Sequence, residues 1–228
     1  MHSHIRSDRP HRLLRGLGFI ALVGLAAVAL AAGNIRKVNG SITVRSGEAY
    51  GDVTTVNGSV RLQDGARADT AETVNGSITL GAGAQVEKAR TVNGSIRLGE
   101  NARVQGNVES VNGAITALPG VQVGGDLGNV NGTITLDGVH VAGQLGTSNG
   151  SILIGRASVV EGGLLMREPK GTYDTRRVPR VVIGPEVEVR GTLRFERPVE
   201  LYVHDSARIG PVEGATARRF SGSEPPAD

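Results

Sequence analysis

The sequence predicts an all-β chain wound as a single-stranded parallel β-helix, a β-solenoid of about 18 residues per coil. Three observations predict it. A phrase that reads Val-Asn-Gly-Ser-Ile-Thr-Val at Val38 to Val44 returns, with small substitutions, from Val56, Val74, Val92, Val111, Val130 and Ser148. Its asparagines, Asn39, Asn57, Asn75, Asn93, Asn112, Asn131 and Asn149, stand 18, 18, 18, 19, 19 and 18 residues apart. A period that short suits one coil of a solenoid and is too short for a helix pair. After the first six Asn-Gly pairs, aliphatic and polar residues alternate, the period of two of a strand with one buried face. The composition fits a narrow core with tight corners: aromatic residues are 3% of the 228 and glycines number 34, which leaves little to line an aromatic pocket.

Taken in order, residues 1 to 15 carry Arg6, Arg9, Arg12 and Arg15. No charge follows from Gly16 to Gly33, and Ala29-Leu30-Ala31 is a small-x-small triplet. This is the layout of an export signal, so residues 1–31 are expected to be a signal peptide and the chain to reach the periplasm or cell surface. Membrane contact is expected only through a signal that stays uncleaved, since 18 uncharged residues barely span a bilayer. The absence of cysteine excludes a disulfide framework, a thiolate metal site and a cysteine-linked lipid anchor. Residues 1–31 hold four arginines and Asp8; without them 21 basic residues balance 21 acidic ones, which gives no reason to expect nucleic acid as a partner.

The solenoid is expected over residues 32–214. Its first inward column is Ile42, Val60, Ile78, Ile96, Ile115, Ile134 and Ile152, and its second is Val44, Leu62, Leu80, Leu98, Ala117, Leu136 and Ile154. Between them, Thr43, Arg61, Thr79, Arg97, Thr116 and Thr135 should face water. Inward pairs are expected at Ala66 and Ala68, Ala84 and Val86, Ala102 and Val104, Val121 and Val123, and Val139 and Val141. A further inward site follows at Val53, Ala71, Ala89, Val108, Leu127 and Leu145. Four or five aliphatic side chains per coil, at about 1.5–3 kcal/mol each, do not offset a backbone entropy of about 1–2 kcal/mol for every residue. A coil is therefore stable only against its neighbours.

Asn-Gly supplies a corner, because both residues tolerate positive φ. Stacked asparagines would form a ladder in which each amide donates to one neighbouring coil and accepts from the other. The alternative is an antiparallel meander with Asn-Gly at each hairpin tip; seven repeats with the same side chains in the same order favour stacking like on like. Glu48 and Tyr50 break the pattern in the first coil, as a terminal repeat does.

After Ile154 the phrase disappears, but alternation returns at Val181-Val182-Ile183-Gly184, then at Val187, Val189, Gly191, Leu193 and Phe195. A last round follows at Val199, Leu201, Val203, Ala207 and Ile209. Between them, residues 167–180 have no periodicity and five basic residues against two acidic ones, a loop insertion placed where binding to anionic envelope polymers could reside. Residues 215–228 read as a disordered tail.

No constellation carries chemistry. Beyond the signal the histidines are His140 and His204, in different coils and without a repeated carboxylate, so both are read as lone surface residues; no catalytic, metal or cofactor residue is assigned. Asp52, Asp64, Asp69, Glu87, Glu100, Asp126 and Asp137 occupy corners and edges and are read as solubilising. The enzyme alternatives are a left-handed hexapeptide-type acyltransferase, on the rhythm of Leu98-Gly-Glu-Asn-Ala-Arg followed by Val104, and a carbohydrate-active β-helix enzyme. The first lacks a catalytic histidine loop, the second a cluster of charged groups on one face. Arg61 and Arg97 interrupt the one column that could have been a threonine array for ice.

The Val-Asn-Gly-Ser-Ile repeat, the turns Val104-Gln-Gly-Asn-Val108, Val123-Gly-Gly-Asp-Leu127 and Val141-Ala-Gly-Gln-Leu145, and the coil Val189-Arg-Gly-Thr-Leu193 resemble the bacterial adhesin-like and bactofilin-like, polymer-forming β-helix proteins. The resemblance covers roughly residues 34–214. It implies a right-handed helix and, on the bactofilin side, filaments joined through terminal coils. The export signal departs from bactofilins and fits the adhesin-like branch. The expectation is a non-enzymatic, exported structural or adhesion-type protein of the cell envelope. It would carry no cofactor, associate with itself through its N-terminal coil and meet cell-envelope polysaccharide.

Overall fold

A three-residue segment with aliphatic ends, its centre polar in the first six coils and Leu153 in the seventh, can bury both ends on one side only when it is extended. Ile42–Val44, Val60–Leu62, Ile78–Leu80, Ile96–Leu98, Ile115–Ala117, Ile134–Leu136 and Ile152–Ile154 do this. With Arg180–Ile183, Glu200–His204 and Ala217–Phe220 they stack into a ten-stranded sheet, the first face of the molecule. The computed structural model describes residues 33–169, 178–222 and 225; the expected signal peptide and the middle of the insertion, 170–177, lie outside the described residues.

The remaining strands form a second sheet of 16 strands that covers two sides. In the early coils one nine-residue strand, such as Gln85–Asn93, runs across both. Later it divides into a short strand, as at Arg103–Val104, on the second face and a longer one, as at Val108–Asn112, on the third. The result is a three-sided β-solenoid of about 10 turns, with no helix among the described residues.

Every pairing in it is parallel, and like sits on like: Ile42 opposes Val60, Val60 opposes Ile78, Ile78 opposes Ile96, and Ile96 opposes Ile115. An antiparallel meander is excluded. The inward columns expected from the sequence are all buried, including the small third-segment pairs and the site from Val53 to Leu145. Ile152 opposes Val181, 29 positions on, so the insertion lengthens one coil without shifting the register above it.

Two expectations are corrected. The chain is not disordered from 215: Ala217–Phe220 pairs with Glu200–His204, so the solenoid runs past 214. Phe220 is buried edge-on against His204, with ring centroids 5.2 Å apart, and Arg218 lies over the Tyr202 ring at 5.8 Å. Two arginines made this segment look like tail, yet their side chains lie along the last coil.

The second correction concerns the corner glycines. Only Gly40 and Gly132, among those that follow a ladder asparagine, have positive φ, and none of the ladder asparagines does. At Gly58, Gly76, Gly94, Gly113 and Gly150 a Cβ would collide with the carbonyl of the equivalent glycine one coil earlier. Glycine is required there because two backbones approach closely, and not for its dihedral freedom.

Candidate functional site

The seven sequence-predicted asparagines come together as one ladder on the corner between the third face and the first. Each side-chain Nδ2 donates to the Oδ1 of the preceding coil: Asn57 to Asn39 at 3.0 Å, Asn75 to Asn57 at 3.0 Å, Asn93 to Asn75 at 2.9 Å, Asn112 to Asn93 at 2.9 Å, Asn131 to Asn112 at 2.7 Å and Asn149 to Asn131 at 3.0 Å. The ladder has one direction. Its far end is closed by Arg197, 7% exposed, whose Nη1 donates to Asn149 Oδ1 at 3.0 Å and to the Ser148 carbonyl at 3.1 Å.

Sequence reasoning missed a second, buried ladder. Two positions before the asparagine, Thr55, Thr73, Thr91 and Ser110 turn inward and donate to the carbonyls of Gly40, Gly58, Gly76 and Gly94 at 2.7–3.0 Å. Asn129 takes the same place, donating to Gly113 and Gly132 at 2.9 Å each. Thr147 ends the series, its hydroxyl without a partner among the described residues. The signal was present: a hydroxyl or amide residue recurs two places before the asparagine in six consecutive coils. The serine after Asn-Gly makes a third series, in which Ser41, Ser59 and Ser77 Oγ each accept the backbone N–H of the next serine at 3.0–3.3 Å.

The corner carboxylates do more than solubilise. Asp64 accepts from the Ala82 N–H and Asp126 from the Gln144 N–H, each at 2.8 Å and each one coil later; Asp52 accepts from Thr70 Oγ1 at 2.8 Å. They are rungs between coils.

No protein family, curated protein or solved structure matches this chain. The chemistry has to be read from its own residues.

His140 is not alone. Its Nε2 lies 3.0 Å from Glu161 Oε1, while Arg190 Nη1 donates to the same carboxylate at 2.6–2.7 Å and Arg190 Nη2 to Glu188 at 3.2 Å. Hydrogen bonding, from His140 first and then Arg190, holds the Glu161 carboxyl below its ordinary range. This network sits on an open surface and ties three successive coils together. His204 Nδ1 instead meets Ser206 Oγ at 2.8 Å. Among the described residues no group of three or more histidine, cysteine, aspartate or glutamate side chains is placed to hold a metal ion.

The first face also carries a groove of about 790 Å³ in its C-terminal half, between Leu153 and Val182 on its floor and Phe220 and Pro225 at its side. The ionisable residues that line it are Asp137, Arg156 and Arg180. Arg180 lies over the Tyr202 ring at 4.6 Å.

Proposed function

We propose that this chain is a non-enzymatic, exported structural or adhesion-type β-solenoid of the bacterial cell envelope, of the adhesin-like branch, which self-associates through its N-terminal coil. A β-solenoid fold alone serves this role and the acyltransferase or carbohydrate-active alternatives equally well, so the reading rests on other features. The export-type layout of residues 1–31 supports the location.

The observation that carries self-association is the inequality of the two ends. At the C-terminal end Arg197 closes the asparagine ladder, Phe220 is buried, and Arg219 donates to the carbonyls of His204 and Ala207. At the N-terminal end Asn39 Nδ2 has no acceptor among the described residues, Val38 is 67% exposed, and Ile35 is half-buried although it stands in register with core Val53. Among the described residues no strand pairs with the outer edges of Ile35–Asn39 and Ile42–Val44, and such parallel-sheet edges template another chain. Two such sheet edges brought together by a two-fold axis supply each other's donors and acceptors.

The test is sedimentation or light scattering of the full chain against concentration. Wild type should form a concentration-dependent dimer that Ile35→Lys abolishes, with circular dichroism unchanged. A wild-type monomer at high concentration would overturn the proposal.

A further inference from the structure

Charge is divided unequally between the faces. In the strands of the 16-stranded sheet eight lysines and arginines stand among seven carboxylates. Pairs form there between Lys88 and Glu72 at 2.9 Å, Arg90 and Glu109 at 3.7 Å, and Arg194 and Glu213 at 2.9 Å. The strands of the first face hold five arginines and a single carboxylate, Glu200. Neither Arg61 nor Arg97 forms an ion pair there. Arg61 and Arg97 project from it, exposed, and the nearby corner carboxylate Asp64 is turned to the Ala82 N–H.

These two arginines share one outward column with Thr43, Thr79, Thr116 and Thr135. Stacked strands are about 4.8 Å apart, so Arg61 and Arg97, two coils apart, stand about 9.5 Å from one another along the axis. Beside them the serine hydroxyls that accept backbone N–H groups keep their own protons as donors. Further along, Arg156 and Arg180 flank the groove. From Thr43 to Thr135 the face is a track of spaced cations and hydroxyl groups.

We infer that the first face binds a linear acidic polysaccharide laid along the solenoid axis, with Arg61 and Arg97 taking successive anionic groups. This rests on the adhesion half of the function proposed above and names its surface. A polymer with one carboxylate per disaccharide offers charges at a comparable interval, and its hydroxyl groups match the serine and threonine columns. Nucleic acid fits less well. Duplex DNA carries a charge for about every 1.7 Å of axis, whereas the ten strands of this face spread five arginines over about 43 Å. The outward column from Thr43 to Thr135 also offers no aromatic ring for stacking bases.

The experiment is titration of the full chain with hyaluronan, with neutral dextran and with a single-stranded oligonucleotide, at low and physiological salt. Hyaluronan should bind and dextran should not. Arg61→Gln with Arg97→Gln should weaken hyaluronan about ten-fold, the size expected for losing two exposed charge contacts, and flatten its salt dependence. Arg61→Lys with Arg97→Lys should retain most of the binding, and Arg90→Gln, on the ion-paired third face, should change nothing. Thermal melts should overlay for all variants, since these side chains are exposed. The inference is overturned if hyaluronan does not bind, if the double glutamine variant binds as wild type does, or if the oligonucleotide binds as tightly and depends on the same arginines. Sedimentation of the same samples reads self-association separately. Loss of binding with an intact Ile35-dependent dimer removes only this surface, and binding by a strict monomer removes only the end-to-end association.

Discussion

Replacing Gly94 by alanine tests why glycine follows each asparagine, because two physical accounts give opposite signs. Gly94 lacks a positive φ. If dihedral freedom were all that mattered, alanine would stabilise the protein by about 0.4–1 kcal/mol through the entropy of the unfolded chain. In the folded stack the new Cβ would strike the carbonyl of Gly76 and lie 3.0 Å from the Ser77 nitrogen. Both obstacles are backbone, so no side chain can swing aside. Relief requires the two coils to part at this corner, where the Gly76 N–H donates to the Asn93 carbonyl at 3.0 Å. Overpacking costs about 1–3 kcal/mol and a weakened backbone hydrogen bond about 1 kcal/mol, which less the entropic gain leaves a net loss of about 1–3.5 kcal/mol. With a urea slope of about 2 kcal/mol/M, the midpoint should fall by about 0.5–2 M. Far-UV circular dichroism in urea measures it. Gly40→Ala is the companion: nothing lies within 4 Å of its Cβ, but its φ is +101°, so it reports strain alone. A Gly94→Ala midpoint equal to or above that of wild type would refute the close-approach account.

The asparagine ladder should respond by position. Asn93→Ala removes one donated and one accepted hydrogen bond at an exposed corner and should cost about 1–2 kcal/mol, whereas Asn39→Ala removes one bond and should cost about half as much; equal urea midpoints for the two variants and wild type would show that the ladder adds nothing. Because the Glu161 carboxyl titrates below its ordinary range in the folded chain, it contributes stability above the unfolded-state value, near 4.3, that is lost as pH falls through the lowered one. Thermal midpoints between neutral and acid pH should therefore fall more steeply for wild type than for Glu161→Gln in that acid window, and parallel curves would contradict the assignment.

The solenoid was legible because its signal is repeated. A buried column such as Ile42 to Ile152 shows the same residue class at the same offset seven times, which separates it from accidental alternation. The asparagine ladder was legible for the same reason. The cause of the paired glycines was not, because close approach between coils is a property of the stack and leaves the same letter in the sequence as a positive φ does. The hydroxyl series from Thr55 to Ser110 was overlooked because threonine and serine are ordinary on strand surfaces, and only the three-dimensional corner shows that they face inward to a carbonyl. Arg197, Glu161 and Arg190 lie where the repeat has broken down. Each acts on a residue 29 or 48 positions away, so no local period announces the pairing. The strand Ala217–Phe220 escaped because it has only four residues and two of them are arginines.

The single direction of the asparagine ladder has an electrical consequence. A peptide-type amide carries a dipole of about 3.5 D, and dipoles aligned head to tail add, as they do in a helix. Backbone amides in a sheet largely cancel, so the six side-chain bonds from Asn149 down to Asn39 give the prism a polarity along its axis, with its positive pole at Asn39 and its negative pole at Asn149. The guanidinium of Arg197 rests on the negative pole, as a lysine or arginine does at the last turn of a helix. Two copies joined by a two-fold axis at their Asn39 ends would oppose these moments and cancel them, while copies threaded head to tail would sum them. Transient electric birefringence, in which only the summed arrangement orients strongly with the field, therefore distinguishes a closed pair from a growing fibre.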